Sequence, residues 1–297
     1  MSKTTIFTGA GVAIVTPMHQ DGTVNYEKYR ELVEWQIQNG TDAIISCGTT
    51  GESSTLNDEE HIEVIRAAVE QVKGRVPVIA GTGSNDTNYC IELSLKAKEL
   101  GADALLLVTP YYNKTSQRGL IAHYNTVADR VKMPLILYNV PSRTGVNIKP
   151  QTYATLSLNP YIVAIKEAGG DISSIARTAA LCGDNIDIYS GNDDQIVPIL
   201  SLGGKGVISV LSNILPFKTS DIVKRWISGD IKASCALQLE LMDVIAAIFS
   251  DVNPIPIKQA MNMMGMNVGP CRLPLYEMDQ AGKQSLADVL RRHGLLK

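Results

Sequence analysis

The stretch YIVAIKEAGG, residues 161 to 170, ends an apolar run on an amine. Ile162, Val163, Ala164 and Ile165 read as a short buried strand, and Lys166 follows at once. Desolvation disfavours the ammonium form, and a lysine with a lowered pKa is a nucleophile near neutral pH. Read alone, Lys166 is simply the first solvated residue past a strand, because most lysines are exposed. Other strand-like runs end in groups of matching chemistry. GTTGES at 48 supplies Thr49, Thr50 and Glu52, and TPYYN at 109 supplies Tyr111 and Tyr112. YNVPSRTG at 138 supplies Tyr138 and Arg143, and YSGN at 189 supplies Ser190, Gly191 and Asn192. Hydrogen-bonded phenols and hydroxyls can relay protons, and a guanidinium fork matches a carboxylate. Each tyrosine alone reads more readily as packing, and Glu52 as a local pair or cap. The signal is the set, which describes an amine nucleophile, a phenolic acid/base and a carboxylate clamp. That is the equipment for Schiff-base chemistry on a keto acid.

These groups need a scaffold that gathers strand ends. Eight short apolar runs recur: VAIVTP at 12, AIISCG at 43, VPVIAGT at 76, ALLLVTP at 104, LILYNVP at 135, IVAIKEA at 162, IDIYSG at 186 and GVISVLSN at 206. Most are nearly unbroken rather than alternating, as expected of parallel strands covered on both faces. Helical patterns lie between them. YEKYRELVEWQIQNG places Tyr29, Leu32, Val33, Gln36 and Ile37 at helical spacing and stops at Gly40. NDEEHIEVIRAAVEQVKG opens on a cap at Asn57 or Asp58, with acids in its first turn. Strands alternating with helices predict a (β/α)8 TIM barrel. A doubly wound open sheet would show a Gly-rich fingerprint after the first strand, and MHQDGTVN there has none. In the barrel, chemistry sits at the carboxyl ends of the strands, where the polar residues fall. The expected division is a catalytic barrel over residues 1–230 and a C-terminal helical appendage over 231–297, packed on it with no low-complexity linker.

Bulk properties exclude other classes. The 297 residues are 45% hydrophobic and 19% charged, with a net charge of −3 and no basic stripe, so nucleic acid is not an expected partner. No apolar run approaches the ~18 residues of a membrane span, and the N-terminal stretch does not read as a signal peptide. Five widely spaced cysteines without a CxxC suit a reducing, cytoplasmic setting. His19, His61, His123 and His293 show no metal-ligand spacing, so neither metal nor cofactor is expected.

GTTGES at 48, TPYYN at 109, YNVPSRTG at 138, IKEA at 165, SGND at 190 and GVISV at 206, in this order, resemble the dihydrodipicolinate synthase family. These are pyruvate-dependent class I aldolases, a group that includes N-acetylneuraminate lyase. The likeness runs over nearly the whole chain, including NPIPIK at 253 and RLP at 272. It implies condensation of pyruvate with L-aspartate 4-semialdehyde in diaminopimelate and lysine biosynthesis. By the resemblance, Lys166 forms the Schiff base, and Tyr138 shuttles protons in a relay with Thr49 and Tyr112. Thr50 and the backbone of Ile208, with Gly191 in the substrate-binding set, hold pyruvate. Arg143 takes the carboxylate of the second substrate. Neuraminate lyases share the second and sixth strand motifs but lack this arginine, so a sister aldolase acting on a sugar acid is the alternative. A non-catalytic keto-acid-binding protein would not need Lys166, Tyr138, Thr49 and Tyr112 together.

The resemblance further implies a tight dimer, pairing again into a homotetramer, in which Tyr112 reaches into the neighbouring site. It also implies a regulatory lysine site at Ser53, His61, Asn85, Tyr89 and Tyr111. Lysine-sensitive members carry Glu where this chain has Tyr89, and His where it has Asp58. Loss of a buried carboxylate partner for an ammonium weakens binding by ~1.5–3 kcal/mol, so weak or absent inhibition is expected.

Overall fold

The apolar runs form the strands β1 (Gly9–Ala13), β2 (Ala43–Ser46), β3 (Val78–Gly81), β4 (Ala104–Val108), β5 (Leu135–Asn139), β6 (Ile162–Glu167), β7 (Asp187–Ser190) and β8 (Gly206–Ser209). The structure is a computed structural model describing residues 3–296. Every strand pairs in parallel with its sequence neighbour, and β8 closes onto β1 in the register Gly9↔Gly206 to Val12↔Ser209. The expected (β/α)8 barrel is what forms. Alternate positions along each strand divide the core in two. Ile45, Ile79, Leu106, Ile136, Ala164 and Ile208 pack inside the barrel. Ile44, Leu105, Leu137, Ile165 and Val207 pack outward against the helices. Both faces are dry, which is why the runs read as unbroken apolar sequence.

β1 lies earlier than the VAIVTP run suggests. It begins at Gly9, whose φ is +125° and where a Cβ would fall 2.1 Å from the Asp42 carboxylate. Asp42 instead accepts the Ala10 N–H at 2.8 Å. A pattern read from β-branched side chains misses a strand that opens on Gly-Ala-Gly.

The helices follow their sequence signals. Asp58–Val72 carries a capping box, in which Asn57 accepts the Glu60 N–H at 2.9 Å and Glu60 accepts the Asn57 N–H at 3.1 Å. Tyr26–Gln38 is capped by Asn25, and Thr87–Glu99 by Asp86. Pro216–Ile227 is the helix after β8. Beyond it run Ile231–Glu240, Met242–Ile248, Ile255–Met263 and Gln280–Arg292. The first two, which read as one helical stretch, are separate helices broken at Leu241.

Glu52 departs from its local reading. Its partner is Lys258, 206 positions away on Ile255–Met263, at 2.7 Å, and both side chains are buried. An ammonium has three protons to donate. Lys258 also donates to the carbonyls of Thr16 at 3.1 Å and Pro270 at 2.5 Å, so all three are used. Glu52 accepts the Arg272 N–H at 2.8 Å with its other oxygen. Arg272 in turn forks onto Glu60 with two contacts of 2.6 Å. The helical appendage is thereby bolted to the loop after β2. Removing one partner of a buried ion pair typically costs about 3–5 kcal/mol, because the other charge is left uncompensated. Lys258→Met should therefore lower unfolding stability by that amount in urea titrations at fixed protein concentration. The double variant Lys258→Met/Glu52→Gln should lose distinctly less; an equal or larger loss would show that the charge pairing is not the source.

Candidate active site

Lys166 is the penultimate residue of β6 and is 5% exposed. Side-chain alternation turns Ala164 and Lys166 into the barrel, and Ile165 outward. Glu167 also turns away from the interior and serves the scaffold. It accepts from Asn139 at 2.9 Å, from the Tyr153 phenol at 3.0 Å and from the Gly169 N–H at 2.8 Å. Strand pairing sets Tyr138 of β5 in register with Lys166, and its ring centroid lies 4.2 Å from the lysine Nζ. Burial pulls the Lys166 pKa down to about 8, the Asp193 carboxylate opposes that pull, and the Arg143 cation adds to it. Burial likewise raises the Tyr138 phenol, with Arg143 and a hydrogen bond to Thr49 acting against it. The phenol thus stays protonated at neutral pH, with the Thr49 side chain among the groups that act on it.

Thr50 is 2% exposed, and its Oγ1 accepts the side-chain amide of Asn253 at 3.0 Å. Arg143 stands on the one-turn helix Pro141–Thr144, opened by proline and closed by Gly145 in the left-handed region. Its guanidinium donates to the Asn253 carbonyl at 3.1 Å. Gly191 follows β7 and donates its N–H to the Glu167 carbonyl at 2.7 Å. A Cβ there would lie 2.8 Å from the Ala168 Cβ, so only glycine allows this approach. Ile208 is fully buried on β8 beside Gly11 of β1.

Tyr112 does not join these groups within the chain. It is 91% exposed, with φ at +67°, a strained left-handed backbone for a non-glycine residue. Its neighbour Tyr111 lines a cavity of about 300 Å³ together with Thr49, Arg143, Ser53, His61 and Tyr89. Of the residues expected to bind lysine, Asn85 uses its backbone carbonyl to accept from Asn113 at 3.0 Å. The Tyr89 phenol donates to the Asp58 carboxylate at 2.5 Å, and its pKa is pushed up to about 12 by burial and by that carboxylate. A carboxylate therefore still stands beside this cavity, supplied by the neighbouring helix and already engaged by the phenol.

Two site residues escaped the strand-end reading. Asn253 belongs to the appendage, and its only sequence signal was the NPIPIK motif. Asp193 sits inside the quoted SGND, but nothing local marks it as buried. Among the described residues, no group of three or more His, Cys, Asp or Glu side chains is placed to hold a metal ion.

A closed parallel barrel with a desolvated amine at the end of β6 and a protonated phenol beside it defines a site of the class I aldolase type. The sequence profile of the dihydrodipicolinate synthetase family matches residues 6–293, and the chain belongs to that family. It is 59% identical to 4-hydroxy-tetrahydrodipicolinate synthase of Lachnoclostridium phytofermentans, over 98% of this chain and 99% of the relative. It is 55% identical to the enzyme of the same name from Clostridium perfringens, over 98% of this chain and all of that one. Among solved structures, dihydrodipicolinate synthase from Acinetobacter baumannii, complexed with pyruvate, superposes with a TM-score of 0.96 at 42% identity, covering 98% of this chain and 100% of that chain. The enzyme from Cyanidioschyzon merolae with lysine bound gives 0.96 at 38% identity, covering 99% of this chain and 100% of that chain.

The Lys166 shift has a measurable consequence. Below its folded midpoint the amine is protonated and unreactive; above it the lone pair is free. Reductive alkylation of Lys166 by a small keto acid should rise with pH through about 8 and then level. An ordinary lysine would climb to ~10.4. Peptide mass mapping across a pH series reads this directly, and a midpoint near 10 would refute the desolvated amine. The lowered pKa also makes Lys166 a stability cost that is fully present below pH ~8. Above that value the unfolded chain binds the extra proton, so stability should recover towards pH ~10.5, and Lys166→Met should erase that slope.

Proposed function

We propose that this chain condenses pyruvate with L-aspartate 4-semialdehyde to give 4-hydroxy-tetrahydrodipicolinate, the compound for which its curated relatives are named. The observation that carries the proposal is the buried Lys166 amine above the Tyr138 ring at the carboxyl end of the barrel. The free amine attacks the pyruvate ketone and water leaves, giving an iminium that acts as an electron sink. The pyruvate C3 proton can then depart without a metal or cofactor, and the resulting enamine attacks the aldehyde. Cyclisation through the substrate amine releases Lys166. Tyr138 and Thr49 carry protons in these steps, a role supported by the buried, protonated Tyr138 phenol and the influence of Thr49 on it. Thr50, with backbone N–H groups and the backbone at Ile208, holds the pyruvate carboxylate, Gly191 belongs to the substrate-binding set, and Asn253 fixes the Thr50 hydroxyl. Arg143 takes the carboxylate of the semialdehyde and is what separates this reading from a sugar-acid aldolase. The product would enter diaminopimelate and lysine biosynthesis in the cytoplasm.

Borohydride added with pyruvate should attach one reduced pyruvyl group, on Lys166, as read by intact and peptide mass. Arg143→Ala should keep that adduct while losing roughly ten- to hundredfold in kcat/KM for the semialdehyde, the worth of a charged bidentate contact. Labelling at another lysine removes the mechanism; an unchanged kcat/KM returns the sugar-acid reading.

Tyr112 belongs to the same proposal in trans. A solvent-facing phenol on a strained backbone next to the site suits a residue that completes a neighbour's relay, in a dimer that pairs into a homotetramer. Tyr112→Phe and Tyr138→Phe should each be nearly inactive. Co-refolded, a mixed dimer holds one site with both lesions and one with neither, so activity should partly return. If mixed dimers form and activity stays lost, Tyr112 does not act across the interface.

A further inference from the structure

The strand that carries the lysine is irregular just before it. Leu135 of β5 pairs with Ile162 of β6, but Ile136 pairs with Ala164, so Val163 has no partner on β5. This is a one-residue bulge, and alternation breaks across it. Ile162 and Ile165 belong to the outer core, whereas the consecutive residues Val163 and Ala164 both belong to the core inside the barrel. Bulges re-aim side chains beside active sites. Continued from Leu135↔Ile162, the register would set Tyr138 against Ile165 and turn Lys166 outward, because a one-residue slip moves every side chain to the other face. Beyond the bulge the observed pairs are instead Tyr138↔Lys166 and Asn139↔Glu167.

That second pair is joined by its side chains. Asn139 donates its amide to Glu167 Oε1 at 2.9 Å, and both residues are buried. The remaining bonds of each residue orient it for this contact. Asn139 also donates to Asn147 at 2.8 Å and accepts the Ile148 N–H at 3.1 Å. Glu167 Oε1 also accepts the Gly169 N–H, at a position where a Cβ would fall 2.7 Å from that oxygen, and Oε2 accepts the Tyr153 phenol. In the unshifted register Asn139 would stand opposite Lys166, and the buried Glu167 carboxylate would lose its cross-strand donor. A buried anion deprived of a donor is costly, so the pair stabilises one register over the other.

We propose that Asn139 and Glu167 are positioning residues for the reaction: their buried cross-strand hydrogen bond holds β5 and β6 in the bulge-shifted register that sets the Lys166 amine beside the Tyr138 ring. This rests on the Schiff-base reading of Lys166. Both side chains act through the residue that precedes them, Tyr138 on β5 and Lys166 on β6, whose ring centroid and Nζ lie 4.2 Å apart. Reacting groups tolerate little displacement: a misplacement of about 1 Å can slow a reaction roughly a hundredfold.

The test measures how fast borohydride traps a pyruvate adduct on Lys166, and the pH midpoint of that reductive alkylation. Asn139→Leu, of similar shape, withdraws the cross-strand donor. It should slow trapping roughly tenfold to hundredfold. It should also move the midpoint from about 8 towards the ordinary lysine value, as the amine leaves its desolvated place. Glu167→Gln keeps an oxygen for the Asn139 amide and should retain most of the rate. Tyr153→Phe and Asn147→Ala each remove a flanking bond and spare the cross-strand one. Both should trap pyruvate close to the wild-type rate, whatever stability they lose. If these two controls, or Glu167→Gln, are as slow as Asn139→Leu, the contact is mere support and the proposal is overturned. A wild-type rate and midpoint in Asn139→Leu overturns it as well, and each of these results leaves the Schiff base intact. Absence of a Lys166 adduct in the wild type removes the Schiff base and this inference together. If Asn139→Leu does not fold, Asn139→Ser withdraws the same donor and must show the same slowing.

Discussion

The buried pair of Lys258 and Glu52 is the contact on which the arrangement of the site depends. Glu52 ends the GTTG turn in a left-handed conformation, and Lys258 reaches it from the appendage. Neither charge has access to water, so each fixes the other, and the loop carrying Thr49 and Thr50 cannot move independently of residues 253–272. The same tie places Asn253, five positions before Lys258, between the Thr50 hydroxyl and the Arg143 guanidinium. The C-terminal helices are thus part of the site's construction. They reach the other side of the mouth as well, through Gln238 and the turn of Asp193.

Desolvation is the force behind the chemistry. A barrel with eight short strands has an interior just wide enough for side chains to fill, and here Lys166 is one of them. The low-dielectric interior that lowers the lysine pKa also keeps the Tyr138 phenol protonated, so one environment sets up both a nucleophile and a proton donor. The opposing influences of Arg143 and Asp193 leave the amine close to the working range rather than far below it. Such a site trades stability for reactivity, and the well-packed barrel core around it carries that cost.

The outer tyrosines answer to a different constraint. Tyr138 is paired, buried and directed by strand register, whereas Tyr112 is held by its own loop in a backbone conformation that tyrosine rarely adopts. Strain of this kind persists only where surrounding structure imposes it. Tyr89 and Asp58 show a third case: a phenol and a carboxylate at exposed positions pair across neighbouring helices.

The sequence alone determined the barrel, because parallel strands covered on both faces must be apolar throughout, and because helix caps such as Asn57 and Asp86 are local. It also determined which residues stand at strand ends, and so Lys166, Tyr138, Thr49, Thr50 and Arg143, since strand alternation and the position of the following turn are short-range properties. It did not reveal that β1 opens on glycines, for a strand without side chains leaves no hydrophobic period. Only the tertiary structure decided the partner of Glu52, the approach of Asn253 and the burial of Asp193. Each joins residues whose separation along the chain ranges from 17 to more than 200 positions. No local spacing encodes such contacts, because they exist only once the barrel has closed and the appendage has packed against it.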